Sequence, residues 1–284
     1  MKRRGSVLLL ALWATVILAL LGIGQATRLS LETRWVSRIQ EGGQAWYLAW
    51  AGVQLASHQL LADSDAAWDA PKERWGQPLP DPIPLDSGRL KYQVTDEQSR
   101  IPLNSAPGSL LLNLPGFNPE AADELLSWRA AQKIIVDLQQ LTALKGFDPE
   151  AIPALIPLVT VYGAGPVNFN TASAEVLMKL GFSAPFAGQV AQYRPSVDGI
   201  WGTPDDQIFY DQEGIYNAFG PLPSSDQTLL NNLLSSQQLG FRSSFFQVTV
   251  DGETARHGIQ KRVVATMERT GSPAQAVIRG WHET

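Results

Sequence analysis

Apolar side chains run almost unbroken through residues 7–23, and no charge or proline falls within residues 6–26. At ~1.5 Å rise per residue, that helix matches the ~30 Å hydrocarbon core of a bilayer. Helical periodicity continues over residues 27–62. Ile39, Trp46, Val53 and Leu60 recur every seven residues, and Ala45, Ala49, Gly52 and Ala56 form a stripe of small side chains beside them. The pattern predicts one helix that outlasts the apolar span and packs its C-terminal half on its own domain. Gly42-Gly43 is an expected bend. Residues 63–86 carry Pro71, Pro78, Pro80, Pro82 and Pro84 and read as a surface loop. Alternation at Leu90, Tyr92 and Val94 predicts a strand, and so does Phe246, Val248 and Val250. Asp251-Gly252 reads as the turn after that second strand. Two more strands are expected at residues 259–267 and 276–281.

Between residues 105 and 240 the pattern is helical and contains a degenerate repeat. Gly116-Phe117-Asn118-Pro119-Glu120-Ala121 returns as Gly146-Phe147-Asp148-Pro149-Glu150-Ala151, and more weakly as Gly181-Phe182-Ser183-Ala184-Pro185. Glycine suits the end of one helix, and the polar residue two places on suits the N-cap of the next. Proline fits the first helical position in two copies. Each copy is thus a helical hairpin, with its phenylalanine in the core between the helices.

The ends of the apolar span narrow its meaning. Lys2, Arg3 and Arg4 precede it and favour a cytoplasmic N-terminus, although Arg28, Arg34 and Arg38 follow it. A cleaved secretory signal has a small-x-small site at Gly24-Gln25-Ala26, but the apolar run exceeds the usual h-region of about 7–15 residues. A plain membrane anchor fits the length. A prepilin-type segment, cut after Gly5 with the whole helix retained, requires a glycine abutting the apolar helix and a helix continuing beyond the membrane. The sequence has both features.

Composition removes several functions. The net charge of −5 offers no basic surface for nucleic acid, and the absence of cysteine excludes disulfides, thiolate metal sites and a cysteine nucleophile. His58, His257 and His282 lack metal-ligand spacing, and no nucleophile elbow, phosphate loop or H-E-x-x-H motif is present. The chain is therefore read as non-enzymatic. Residues 168–175 followed by a hairpin are similar to helix-hairpin-helix DNA-binding modules, which present backbone N–H groups to phosphate. The Gly116 and Gly181 hairpins lack the second glycine of those modules, so a nucleic-acid-binding protein stays as the alternative reading. Asp198, Asp205 and Asp206 lie in a glycine-containing loop and are candidate ligands for calcium, which accepts six to eight oxygens in loose geometry. Asp211 and Glu213 are close by in sequence.

Taken together these features resemble the minor pseudopilin K family of type II secretion. The resemblance rests on the leader ending in Gly5, on Ala51-Gly52-Val53, and on Arg100-Ile101-Pro102-Leu103-Asn104. It also rests on Asp137–Leu141, Lys145-Gly146-Phe147, Thr160–Gly163, Val167–Ala172, and the closing strands with Trp281 and Glu283. It implies an α+β fold in these parts: a leader (1–5), the transmembrane half of a long N-terminal helix (6–26), a pilin-like α/β domain (27–104 and 241–284), and a large inserted all-α domain (105–240). It further implies prepilin-peptidase cleavage between Gly5 and Ser6, methylation of Ser6, and a single pass through a bacterial inner membrane with the head in the periplasm. The implied partners are other minor pseudopilins in a tip complex, the major pseudopilin and secreted proteins, with no nucleic acid. Most pseudopilins carry Glu at the fifth residue after cleavage, where it is thought to neutralise the amino terminus of the neighbour ahead. Here that residue is Leu10, as suits a subunit with no neighbour ahead. Family members often have acidic residues after the first Trp-Arg, whereas Trp128-Arg129 is followed by Ala130-Ala131. Only the 198–206 loop therefore remains as a calcium candidate.

Overall fold

The computed structural model describes residues 3–63, 67–77, 79–196, 198–271 and 274–283, with side chains described from Leu9 onward. Pro78, one of the expected loop prolines, lies outside the described residues. One helix, α1 (Arg3–Leu61), carries both the apolar span and the amphipathic stretch after it, and it passes through Gly42 and Gly43 unbroken. Its C-terminal half lies across an antiparallel five-stranded sheet of order β1-β2-β7-β8-β9. The strands are β1 (Ile83–Leu85), β2 (Gly88–Asp96), β7 (Phe245–Thr254), β8 (Gln260–Thr270) and β9 (Gln275–Glu283).

The small stripe on α1 sets how closely helix and sheet approach. Ala45, Ala49, Gly52 and Ala56 are buried. A β-carbon on Gly52 would lie 2.4 Å from Val250 Cγ1. Ala49, Val53, Ala56 and Leu60 form one core with Leu90, Tyr92, Val94, Val248, Val250, Val263 and Met267. Burial alternates along β2 and β7, because only one face of the sheet is covered by the helix.

Asp251-Gly252 is not a turn. Both residues lie inside β7, with Asp251 opposite Arg262 and Gly252 opposite Lys261. The glycine serves close approach: a β-carbon there would lie 2.5 Å from the Ala45 carbonyl oxygen and 2.7 Å from the Ala49 nitrogen. The chain reverses at residues 255–258, where the Gly258 N–H donates to the Thr254 carbonyl at 3.1 Å and Gly258 has φ of 63°. Edge strand β1 also falls where a proline-rich loop was expected. Its Pro84 is compatible with an edge, where no second ladder needs the missing N–H.

The segment between β2 and β7 is mainly helical and has its own core, including Leu125, Leu141, Leu155, Phe169, Leu177, Phe186 and Leu230. Its helices are α2 (Gly108–Leu111), α3 (Pro119–Ala130), α4 (Ile152–Leu155), α5 (Ala174–Leu180), α6 (Ala184–Tyr193), α7 (Gln212–Phe219) and α8 (Ser224–Ser235). Gly116, Gly146 and Gly181 all have positive φ. Asn118 and Ser183 cap α3 and α6, while Asp148 caps a short 3-10 turn. The first two repeats pack on each other. The Asp148 N–H donates to the Gly116 carbonyl at 3.0 Å, and the Phe117 and Phe147 rings meet edge to face at 5.2 Å.

Two short parallel ladders were invisible to periodicity, which needs longer runs. β3 (Ile101–Pro102) pairs with β4 (Val159–Thr160), and β5 (Val167–Asn168) pairs with β6 (Leu239–Gly240). They tie the insert to the chain entering and leaving it.

Candidate functional site

Gly5 and Ser6 fall on the α1 backbone before Leu9, outside the residues whose side chains are described. From residue 9 to residue 40 every side chain except Ser37 is exposed, with Leu10 at 68%. This stretch is about 48 Å of helix. Within it Trp13, Ile17, Leu20, Ile23, Trp35 and Ile39 expose large apolar surfaces. Such a row needs lipid or other helices to cover it. The helix is apolar enough to cross a membrane.

Where α1 joins the head, its aromatic residues meet the last strand. Trp46 and Trp50 stack at 5.9 Å, and Trp281 lies 5.3 Å from Trp50. The indole N–H groups of Trp46 and Trp281 both donate to Glu283 Oε1, at 2.8 and 2.9 Å. These bonds hold the Glu283 carboxyl below its usual range. The closing Trp281 and Glu283 thus fasten β9 to the long helix.

A buried polar knot joins insert and head. Asp96 Oδ2 accepts from the hydroxyls of Thr171 and Ser243 at 2.6 Å each, and from Asn168 Nδ2 at 3.0 Å. Asn168 Nδ2 also contacts the Asp69 carbonyl at 3.0 Å. Asn170 exchanges bonds with the Phe209 backbone at 2.8 and 2.9 Å. Burial raises the Asp96 carboxyl, and the hydroxyls from Ser243 and Thr171 oppose that rise. Asn168, Asn170 and Thr171, in the 168–175 segment that resembled a DNA-binding hairpin, are therefore spent on this internal knot. Asn104 does similar work, bonding the backbone of Ile135 and Val161 at 2.8 Å. Arg129 reaches the carbonyls of Leu103 and Ala106.

Among the described residues, two clusters each bring three carboxylates within 4.8 Å of one another. In the first, Asp63 and Asp69 are met by Arg269, at 2.7 and 2.6 Å, so the cation is already supplied. Glu73 joins them, accepting from the Ala70 N–H at 2.9 Å and from Trp75 Nε1 at 3.1 Å. Burial pushes the Glu73 carboxyl up to about 8, and Asp63 adds to that shift.

The second cluster is the predicted set, Asp198, Asp205 and Asp206. Gly199 and Gly202, both at positive φ, fold the loop back on itself. All three carboxylates converge on the Thr203 hydroxyl, at 3.1, 2.7 and 3.4 Å. A hydroxyl has one proton to donate, so most of the negative charge stays uncompensated. Burial raises the Asp206 carboxyl, and repulsion from Asp205 and Asp198 adds to the rise. Oxygens this close suit a hard cation with ligands at about 2.3–2.6 Å. The loop is anchored by Arg194, whose guanidinium sits 5.0 Å from the Trp201 ring and donates to the Phe169 and Ala172 carbonyls. Burial lowers Arg194 to about 10. Asp211 is not part of the cluster: it caps α7 by accepting from the Gly214 N–H at 2.9 Å.

No family model matches this sequence. No curated protein matches it either. Among solved structures the chain is similar to a chain of the GspK-GspI-GspJ complex from the type 2 secretion system of enterotoxigenic Escherichia coli. That match has 18% identity and a TM-score of 0.65, and covers 88% of this chain and 99% of the other. The fold is therefore pseudopilin-like: a long apolar N-terminal helix on an α/β head with a large helical insert.

Proposed function

We propose that this chain is a minor pseudopilin of a type II secretion system and occupies the tip of the pseudopilus. Prepilin peptidase cuts between Gly5 and Ser6, and Ser6 becomes N-methylated. Helix α1 sits in the bacterial inner membrane with its N-terminus cytoplasmic and the head in the periplasm. With two other minor pseudopilins the chain starts assembly on which the major pseudopilin follows, and the growing filament moves folded proteins outward. Its role is structural, without catalysis.

The observation that carries this reading is the exposed, apolar first half of α1 joined without a break to a helix sealed onto its own sheet. One half seeks a partner and the other already has one. The likeness to a chain of a GspK-GspI-GspJ complex supports a partnership with other minor pseudopilins. Leu10 supports a first position, because an unpaired carboxylate in lipid is costly and a leading subunit has no amino terminus to neutralise. The insert supports it too, since its bulk obstructs a further subunit above. Calcium bound by Asp198, Asp205 and Asp206 would compensate the loop charge.

Co-expression of the full chain with the other minor pseudopilins of its own cell, followed by affinity purification from detergent, tests the reading. The expected result is a stoichiometric complex, with loss of export of folded proteins when the chain is deleted. Purification of the chain alone, with export intact in the deletion, would overturn it.

A further inference from the structure

Gly42 and Gly43 stand where α1 passes from its exposed half to the half sealed onto the sheet. Each glycine weakens a helix about fivefold, relative to alanine, in the balance between helix and coil. Packing explains the glycine farther along: a β-carbon on Gly52 would lie 2.4 Å from Val250. Packing does not explain this pair, because among the described residues nothing lies within 4 Å of a β-carbon built on either one. Both nevertheless keep helical geometry, so α1 carries a paired weak point at which it does not break.

The helix is held differently on the two sides of the pair. On the C-terminal side the sheet grips it through apolar contact. Gly252 lies against Ala45 and Ala49, and Ala49, Val53, Ala56 and Leu60 sit in the core. On the N-terminal side the contact is polar. Glu41 is the first buried residue of α1 among those described, and its Oε1 meets His257 Nδ1 at 2.5 Å. His257 stands on the 255–258 turn, which is tied to the head by the Ala255 N–H donating to the Ser87 carbonyl at 3.0 Å. Ser37, on the helix itself, donates to Glu41 at 3.2 Å, while Glu41 Oε2 is buried without a hydrogen-bond partner. A carboxylate with one oxygen unsatisfied gains water when it is released, so this contact is one that opens readily. Beyond it helix and head part around a cavity of about 720 Å³, with Thr33, Ser37 and Arg38 on the helix side and Arg256 and Ile259 on the other. The cavity gives the helix clearance toward the head.

We propose that Gly42-Gly43 is a hinge in α1 and that the Glu41–His257 contact is the clasp that keeps it straight. Clasped, the helix is one rigid rod from its apolar span to the sheet. Unclasped, the exposed half pivots into the cavity while the sheet keeps its grip from Ala45 onward. Ser30 lies about 18 Å along the helix from the pair, so a kink of about 30° moves it by about 9 Å. The head thereby reorients against its long helix without unpacking its core. The device consists of this chain's own contacts, so it stands or falls separately from the secretion assignment.

Because the chain has no cysteine, pairs of spin labels on the full chain in detergent read the hinge directly. Ser30→Cys with Lys91→Cys spans it, and Gln54→Cys with Lys91→Cys lies wholly on its sheet side, all three positions being exposed. With the clasp intact the first pair should give one dominant distance. His257→Ala should raise the population at a second distance about tenfold, as loss of a hydrogen bond to a charged group does, and leave the second pair unmoved. Adding Gly42→Ala and Gly43→Ala to His257→Ala should cut that population about twenty-five-fold, without lowering the thermal midpoint, since both new methyl groups enter open space. A single distance that persists in His257→Ala overturns the proposal. A second distance that survives both alanines puts the flexure elsewhere and overturns it too. So does a shift in the Gln54 pair, which would mean that the head itself has loosened.

Discussion

Gly252 shows how much one position can carry. It lies in mid-strand because the α1 backbone passes within 2.5 Å of where a β-carbon would stand. Gly252→Val should destabilise the head by about 2 kcal/mol or more, as overpacking commonly does, read as a lower thermal midpoint in detergent. A midpoint unchanged from wild type would mean that helix and sheet are less tightly apposed than described. Glu73 gives a pH dependence. Its carboxyl titrates at about 8 in the fold against 4.5 ordinarily, so between those values the folded chain keeps a proton that the unfolded chain has released. Its contribution to stability is full below about 4.5 and lost as pH rises through about 8. The thermal midpoint should be higher at pH 6 than at pH 8.5, and Glu73→Gln should flatten that difference. An equally steep dependence in the variant would assign it to other groups. The sequence alone misread Gly252 because Asp-Gly is a strong local turn signal, and the force that overrides it comes from a helix some two hundred residues earlier.

The long helix and the strands are the elements best read from sequence, because their periods persist over many residues. Small side chains at 45, 49, 52 and 56 announced the packed face of α1, and alternation at 90–94 and 246–250 announced two central strands. The glycine turns of the repeats were readable too, since Gly116, Gly146 and Gly181 all take the positive φ that glycine tolerates, although the second copy is flanked by 3-10 turns where helices were expected. What stayed hidden were β1 and the two-residue ladders, whose pairing depends on distant chain, and the polar knot around Asp96 and Asn168. The 198–206 loop lies between these cases. Its acidic composition was plain, but only the fold shows three carboxylates competing for the Thr203 hydroxyl. If it binds calcium, excess chelator should lower the thermal midpoint by several degrees, and Asp198→Asn with Asp205→Asn should remove that response. The affinity should also weaken as pH falls, because the raised Asp206 carboxyl takes up its proton early. A midpoint indifferent to both calcium and chelator would leave the cluster as a solvated turn.

Considered whole, the molecule divides its long helix between two environments. The C-terminal half is consumed by the sheet, and the N-terminal half projects about 48 Å with its apolar side chains uncovered. A discarded signal peptide would have no need to continue into the core of the head. A retained assembly helix does, because the same rigid element must hold the head at one end and the membrane or filament at the other. The insert, joined through the Asp96 knot, keeps its bulk at a fixed place on that head. Gly5→Ala should therefore block processing and leave the leader attached. The decisive observation is the intact mass and N-terminal fragmentation of the protein extracted from bacterial membranes. A chain beginning at N-methylated Ser6 is the predicted result, and one beginning at Thr27 would contradict the account.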